Sequence, residues 1–206
     1  MSSEGVERVL SKVLLGHFVD VLTLEAGADK LPMVLTGVNL SPAMIEKTSL
    51  AALDGAGAAD LYAHLQQALR LFYGRGARGM LIRIGFGMWE RLAAGTSFLE
   101  RAELRVLRSL PAPARPRRAL EVVAARLRDG GGTLSVHSLD QDLMLADASS
   151  PGTLGQSESG PICFTTLGLI QGALVWATGR ELDVEEVSCR AMGAPACEFK
   201  ILPGGA

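Results

Sequence analysis

The sequence predicts an α+β fold in which helices pack on an antiparallel sheet. Through the first two thirds of the chain, apolar residues recur at helical spacing. From Thr133 the period drops to two, as half-buried strands require. The last quarter then holds an apolar helix, a glycine stop and two further alternating runs around a nine-residue connection from Cys189 to Cys197, the pattern of a hairpin.

In the helical part, residues 6–27 carry Val6, Val9, Leu10, Val13, Leu14, Phe18, Val21 and Leu22 on one face. That stripe serves both the core and a second copy of the chain, so residues 1–58 are expected to form a helical extension suited to dimerisation. In LPMVLTGVNLSP, Pro32 and Gly37 bracket a short apolar run, expected as a strand or extended arm. Ser41 and Pro42 then read as the start of a short helix over 43–50, and Gly55 and Gly57 as a loop. Residues 59–73 place Leu61, Leu65, Ala68, Leu69 and Phe72 on one helical face. The following Gly74-Arg-Gly76-Ala-Arg-Gly79 has the G-x-G-x-x-G form, but that motif cradles a pyrophosphate only after a strand. A helix precedes it here, so it reads as a helix stop and a tight connection. Residues 79–94 continue as a helix despite Gly85 and Gly87, which cost about 1 kcal/mol each against Ala and allow close backbone packing or room for a ligand. A helix with alternating charge spans 98–110, PAPARP breaks it, and another helix runs from Ala119 to a turn at Gly130–Gly132.

Residues 133–139 and 142–146 read as strands joined at Asp140-Gln141. The Ser- and Gly-rich stretch 147–160 reads as a mobile flap or a disordered loop. Thr165 or Thr166 is expected to cap the last long helix, which stops at Gly179 as a left-handed cap should. All three cysteines lie from here on, as Cys163, Cys189 and Cys197, and with Glu186 they form C-x22-E-x2-C-x7-C. Three thiolates and a carboxylate suit a closed tetrahedral zinc site. Without paired C-x-x-C knuckles, the residues alone leave open a second reading, three unrelated buried cysteines.

The run from Gly168 to Ile201 resembles the 4-vinyl reductase domain, also described as a hydrocarbon-binding domain. The hallmark is a helix ending in Gly179, a strand bearing Glu186, and C-x-x-x-G-x-x-x-C-x-F, here Cys189, Gly193, Cys197 and Phe199, with Cys163 upstream. The resemblance is specific over 160–202 and looser back to about residue 70. It implies a zinc ion held by Cys163, Glu186, Cys189 and Cys197. It implies a ligand-binding domain of the NO-signalling/Golgi-transport type, TRAPP-like in fold, over residues 59–206, with the zinc motif at 163–201. The family includes sensory domains of bacterial regulators that respond to aromatics and accessory proteins of bacteriochlorophyll synthesis. The expected function is therefore non-catalytic binding of a small hydrophobic or aromatic molecule, as sensor or carrier. A tetrapyrrole-pathway accessory protein or reductase is one alternative, and a protein-interaction scaffold without ligand is another.

The residues weigh against an enzyme. Neither a Ser-His-Asp nor a Cys-His pairing stands out, and a four-ligand zinc keeps no open position. No flavin or nicotinamide motif supplies electrons for a reduction. A ligand cavity between helices and sheet would draw on Phe86, Trp89, Met144 and Trp176, with His137 as polar handle. The formal net charge of −2 gives no pull toward nucleic acid. Three cysteines and the absence of a targeting pattern lead us to expect a cytoplasmic protein, and no apolar run reaches membrane-span length. A homodimer is the expected assembly.

Overall fold

A computed structural model describes residues 8–95, 97–128 and 131–202. Val6, the first residue of the helix expected over 6–27, lies outside them. The chain enters helix α1, Lys12–Ala26, where Ser11 Oγ accepts the N–H of Leu14 at 3.2 Å and so caps the first turn. The next segment departs from expectation: LPMVLT is not a strand but helix α2, Leu31–Thr36. Pro32 sits in its first turn, where no N–H is needed, and Leu31, Val34 and Leu35 are buried at the i, i+3, i+4 spacing of a helix. Ser41 Oγ does accept the N–H of Ala43, but it opens a 3-10 turn, Pro42–Ile45, ahead of α3, Lys47–Ala52. Gly55 and Gly57 belong to α4, Gly55–Tyr73, because Asp54 caps it through the N–H of Gly57 at 2.7 Å.

Gly74 takes φ +53° at the end of α4, and a 3-10 turn, Gly74–Gly76, leads directly into α5, Ala77–Ala94. The G-x-G-x-x-G stretch thus joins two helices, as the sequence suggested. Helices α6, Phe98–Ser109, and α7, Arg115–Arg128, follow. Of the glycine turn expected at 130–132, Gly130 lies outside the described residues and Gly131 takes φ +97°.

Strands β1, Leu134–Leu139, and β2, Asp142–Asp147, form the expected hairpin, with Asp140 at φ +51° in its turn. After helix α8, Phe164–Thr178, come β3, Asp183–Ser188, and β4, Cys197–Leu202. The four strands form one antiparallel sheet in the order β1-β2-β4-β3. The register aligns Val136, Leu145, Phe199 and Glu186 in one row, and Leu134, Asp147 and Cys197 in the next. Directly opposite residues share a face, so these rows form the inner face. Helix α7 packs on β1, α8 packs beside α7, and α5 packs on α8.

Helices α5 and α8 meet backbone to backbone. A Cβ on Gly168 would lie 2.0 Å from the carbonyl oxygen of Ile82, and one on Gly85 would lie 2.0 Å from that of Thr165. Of the two roles expected for Gly85, close packing is the one seen. Gly87 serves α1 instead, facing Val21 at 2.9 Å. A single apolar cluster takes in Leu14, Leu15 and Phe18 of α1, Leu65 and Leu69 of α4, Leu81 and Trp89 of α5, Val123 of α7, Ile170 of α8, and Leu145 and Phe199 of the sheet. Residues on both sides of position 58 therefore share one core. Among the described residues no helix is long and apolar enough to cross a membrane.

Candidate metal centre

Four separate pieces of chain deliver the cysteines and Glu186 to one point. Cys163 is the N-cap residue of α8, reached from the loop that follows β2. Cys197 opens β4 opposite Asp147. Glu186 faces inward from β3, opposite Phe199. A bulge between Glu186 and Ser188 then shifts the register, with Val187 turned outward, 47% exposed. Ser188 pairs with Glu198 as a result, so Cys189 rather than Ser188 reaches Cys197. A 3-10 turn, Arg190–Met192, and Gly193 at φ +89° complete the connection.

All four residues are buried, and their ligand atoms lie within 4.8 Å of one another. Cys163 Sγ is 3.2 Å from Cys197 Sγ and 3.9 Å from Cys189 Sγ, and the Cys189 and Cys197 sulfurs are 3.9 Å apart. These are not disulfide distances, and all three cysteines are free. A tetrahedral site with zinc–sulfur bonds of about 2.3 Å would hold its sulfurs about 3.8 Å apart. The carboxylate points the same way. Glu186 Oε2 accepts the N–H of Cys163 at 2.9 Å, while Oε1 is buried with no hydrogen-bond partner. A buried carboxylate oxygen left bare is costly, and a cation would satisfy it. This buried group of three cysteines and one glutamate could bind a metal ion.

Without a cation, the four acids oppose one another's ionisation. Hydrogen bonds with Cys189 and Cys197, backed by burial, raise Cys163 well above the usual thiol range. Burial, and next the bond with Cys189, pushes Glu186 up to about 8. For Cys197 the bond with Cys163 pulls down, but the bond with Cys189 and burial outweigh it, and the thiol sits at about 12. Only Cys189 is lowered, by hydrogen bonds from the other two thiols. Metal entry must therefore displace protons from Cys163, Cys197 and Glu186.

Cations ring the cluster. The backbone N–H of Arg190 donates to Cys197 Sγ at 3.3 Å, and its guanidinium donates to the carbonyls of Ala148 and Pro195. Arg70 reaches Gln156 Oε1 at 2.7 Å and Glu158 at 3.8 Å. Burial lowers its pKa, and Glu158 and the cysteines offset part of that. Arg8 donates to Thr153 O at 3.2 Å, and its pKa is lowered by burial and then by Arg190. Nothing in the local sequence around the cysteines marked Arg8 or Arg70, since both come from distant segments.

Sequence reasoning also missed Ser150, because 147–160 read as a flap. The structure corrects that. Asp147, Ser149, Ser150 and Thr153 are buried, and Ser150 Oγ lies 3.1 Å from Cys197 Sγ and 3.5 Å from Cys163 Sγ. The signal was present as Asp-x-Ser-Ser, an Asp placed to bond backbone N–H groups two and three residues on. The cap expected from Thr165 is likewise not made. Its hydroxyl is buried and donates to Gln66 Oε1 at 2.8 Å.

The five residues expected around one ligand cavity fall in three places. Phe86 lines a cavity of about 640 Å³ between α5, α8 and β3. Trp89 is buried where α5 meets α8, edge-on to Trp176 at 6.1 Å, and Arg108 lies 5.3 Å from the centre of the Trp176 ring. His137 and Met144 stand opposite each other on the outer face of the sheet, and exposed His137 bonds Ser135 Oγ at 2.7 Å. The period-two pattern located the strand but could not say which face looks inward. Leu143, Leu145 and Asp147 take the inner face, which sends Met144 outward.

Comparison with solved structures defines the class of fold. An H-NOX protein from K. algicida in the Fe(II) unliganded state is 12% identical, with 96% of this chain and 98% of that chain covered at a TM-score of 0.60. An H-NOX protein from S. oneidensis in the Fe(II)NO state is 15% identical, with 90% and 97% covered at 0.55. The fold is thus an α+β fold of the H-NOX kind. The phenol-responsive sensory domain of the transcription activator PoxR, with phenol, is also similar, at 16% identity, 69% and 72% coverage and a TM-score of 0.42, a likeness that carries no argument here. Residues 149–203 match the family model of the vinyl-4-reductase domain, and the resemblance read from the cysteine motif stands. No curated protein matches the chain.

Proposed function

We propose that the chain is a zinc-stabilised, non-catalytic domain that binds a small hydrophobic or aromatic molecule and acts as a sensor or carrier. The observation that carries this reading is the cavity of about 640 Å³ beside Phe86, a volume in the range of small-molecule sites. Ile82 and Phe86 of α5, Val175 of α8, and Leu182 and Val184 at β3 supply its apolar walls, and Gln171 and Arg83 supply polar groups. A comparable hollow of about 670 Å³ at the start of α7 is more open to solvent. The metal cluster bears on the cavity directly. Helix α8 begins at Cys163 and strand β3 carries Glu186, so an ion there clamps two of the cavity's walls together.

Zinc is the ion that best suits three thiolates and one carboxylate, and Cys163, Glu186, Cys189 and Cys197 would fill its coordination. Such a closed site supports folding rather than catalysis. The family match over 149–203 supports the same class of function. A porphyrin is a poorer fit than a compact aromatic, although the H-NOX neighbours hold Fe(II). Haem iron needs an axial ligand, and none of His17, His64 and His137 is buried. We further propose a homodimer through residues 1–58, where Val13 and Leu24 on α1 stand 62% and 73% exposed, and a reducing, cytoplasmic setting that keeps the thiols available.

Thermal-shift titration with phenols and aromatic hydrocarbons tests the ligand reading. A true ligand at one hundred times its Kd stabilises by about 2.7 kcal/mol. Phe86→Ala is expected to weaken that ligand roughly tenfold, through about 1–2 kcal/mol of lost apolar contact. A broad panel with no shift would favour the scaffold reading.

A further inference from the structure

We infer that Ser150 is a working part of the metal site: its hydroxyl donates a hydrogen bond to the cysteine sulfurs and holds them as metal-bound thiolates. The inference rests on the zinc reading above and extends it to a residue outside the ligand set.

Ser150 is 3% exposed and takes φ +33°, ψ +72°. That left-handed backbone is costly for a residue with a Cβ, of order 1 kcal/mol or more. Several bonds hold it there. Asp147 Oδ1 accepts the N–H of Ser149 at 2.9 Å, the hydroxyl of Ser149 at 2.6 Å and the N–H of Ser150 at 2.8 Å. The carbonyl of Ser150 accepts the N–H of Thr153 at 3.0 Å and its hydroxyl at 2.8 Å. Asp147 is itself fixed in β2 opposite Cys197. The latch therefore starts beside one metal-site cysteine and ends by presenting Ser150 Oγ to Cys197 Sγ at 3.1 Å and Cys163 Sγ at 3.5 Å.

Glycine would adopt this backbone without strain but would bring no hydroxyl. A serine held here against its preference therefore points to a use for the hydroxyl. Metal-bound sulfur has no proton, so the hydroxyl must be the donor. A hydrogen bond to a thiolate draws charge from sulfur. It offsets part of the excess negative charge of a site with three thiolates and a carboxylate, lowers the reactivity of sulfur toward electrophiles and slows loss of the ion. Groups that support metal ligands in this way typically contribute about 10–100-fold in metal affinity.

The test compares zinc-loaded wild type with Ser150→Gly and Ser150→Ala. The glycine variant relieves the backbone strain, so it is expected to fold. Transfer of zinc to a chromophoric chelator should become about 10–100-fold more favourable in both variants. With cobalt(II) in place of zinc, the sulfur-to-metal charge-transfer band should move to lower energy, because a thiolate without its hydrogen bond is a better electron donor. A role confined to loop packing would leave that band where it is. Unchanged transfer and an unchanged band, in variants that hold one metal ion, overturn the inference alone. A wild-type chain that binds neither zinc nor cobalt overturns the zinc reading and this inference with it.

Discussion

Cys189→Ser is expected to destabilise the zinc-loaded chain by several kcal/mol, and most of that loss should vanish when wild type and variant are compared in a strong chelator. Cys189 is fully buried, and its sulfur stands 3.9 Å from each of the other two sulfurs. Metal binding free energy becomes folding free energy when the unfolded chain holds no preformed site, and structural zinc contributes on the order of 10 kcal/mol in small domains. This chain also has a large apolar core, so the chelated form is expected to fold with a lower melting temperature. Serine is close to cysteine in size, so with the metal gone the substitution removes little packing. Melting curves with and without chelator check this. An equal loss in both conditions would assign Cys189 to packing alone.

Gly168→Ala should cost about 3 kcal/mol, although alanine is the better helix former by about 1 kcal/mol. The new methyl would meet the Ile82 carbonyl oxygen at 2.0 Å, with the carbonyl carbon at 2.7 Å, and neither atom belongs to a side chain that can swing away. Helix α8 would have to lift off α5. Gly85→Ala, whose methyl would meet Thr165 O at 2.0 Å, should behave alike. The control is Gly160→Ala, where nothing lies within 4 Å and φ is ordinary, and it should be near neutral. At this chain length 3 kcal/mol corresponds to a fall in melting temperature of roughly 6–12 °C. A Gly168→Ala curve that overlays wild type would show that the helices do not cross this closely.

The elements with long periodic patterns were legible in the sequence. The helix at 59–73, the hairpin from Leu134 to Asp147 and the stop at Gly179 follow from spacing and turn chemistry alone. So did the convergence of Cys163, Glu186, Cys189 and Cys197, because a family resemblance supplied what the spacing left open. The misses have physical causes. LPMVLT is only six residues long, too short for a period of two and one of 3.6 to be told apart, and its proline was read as a breaker rather than as a first-turn residue. Ser150 was missed because polar composition says loop without saying whether the loop is latched. His137 and Met144 were assigned to a cavity because a strand pattern leaves its two faces equivalent until a neighbour covers one of them.

Native mass spectrometry of the intact, gently purified chain tests the central claim most directly. The expected mass is heavier than the polypeptide by one zinc ion per chain, with the ion lost to a strong chelator and absent from a variant lacking both Cys163 and Cys197. A well-folded chain at bare polypeptide mass that takes up no zinc when zinc is supplied would contradict it.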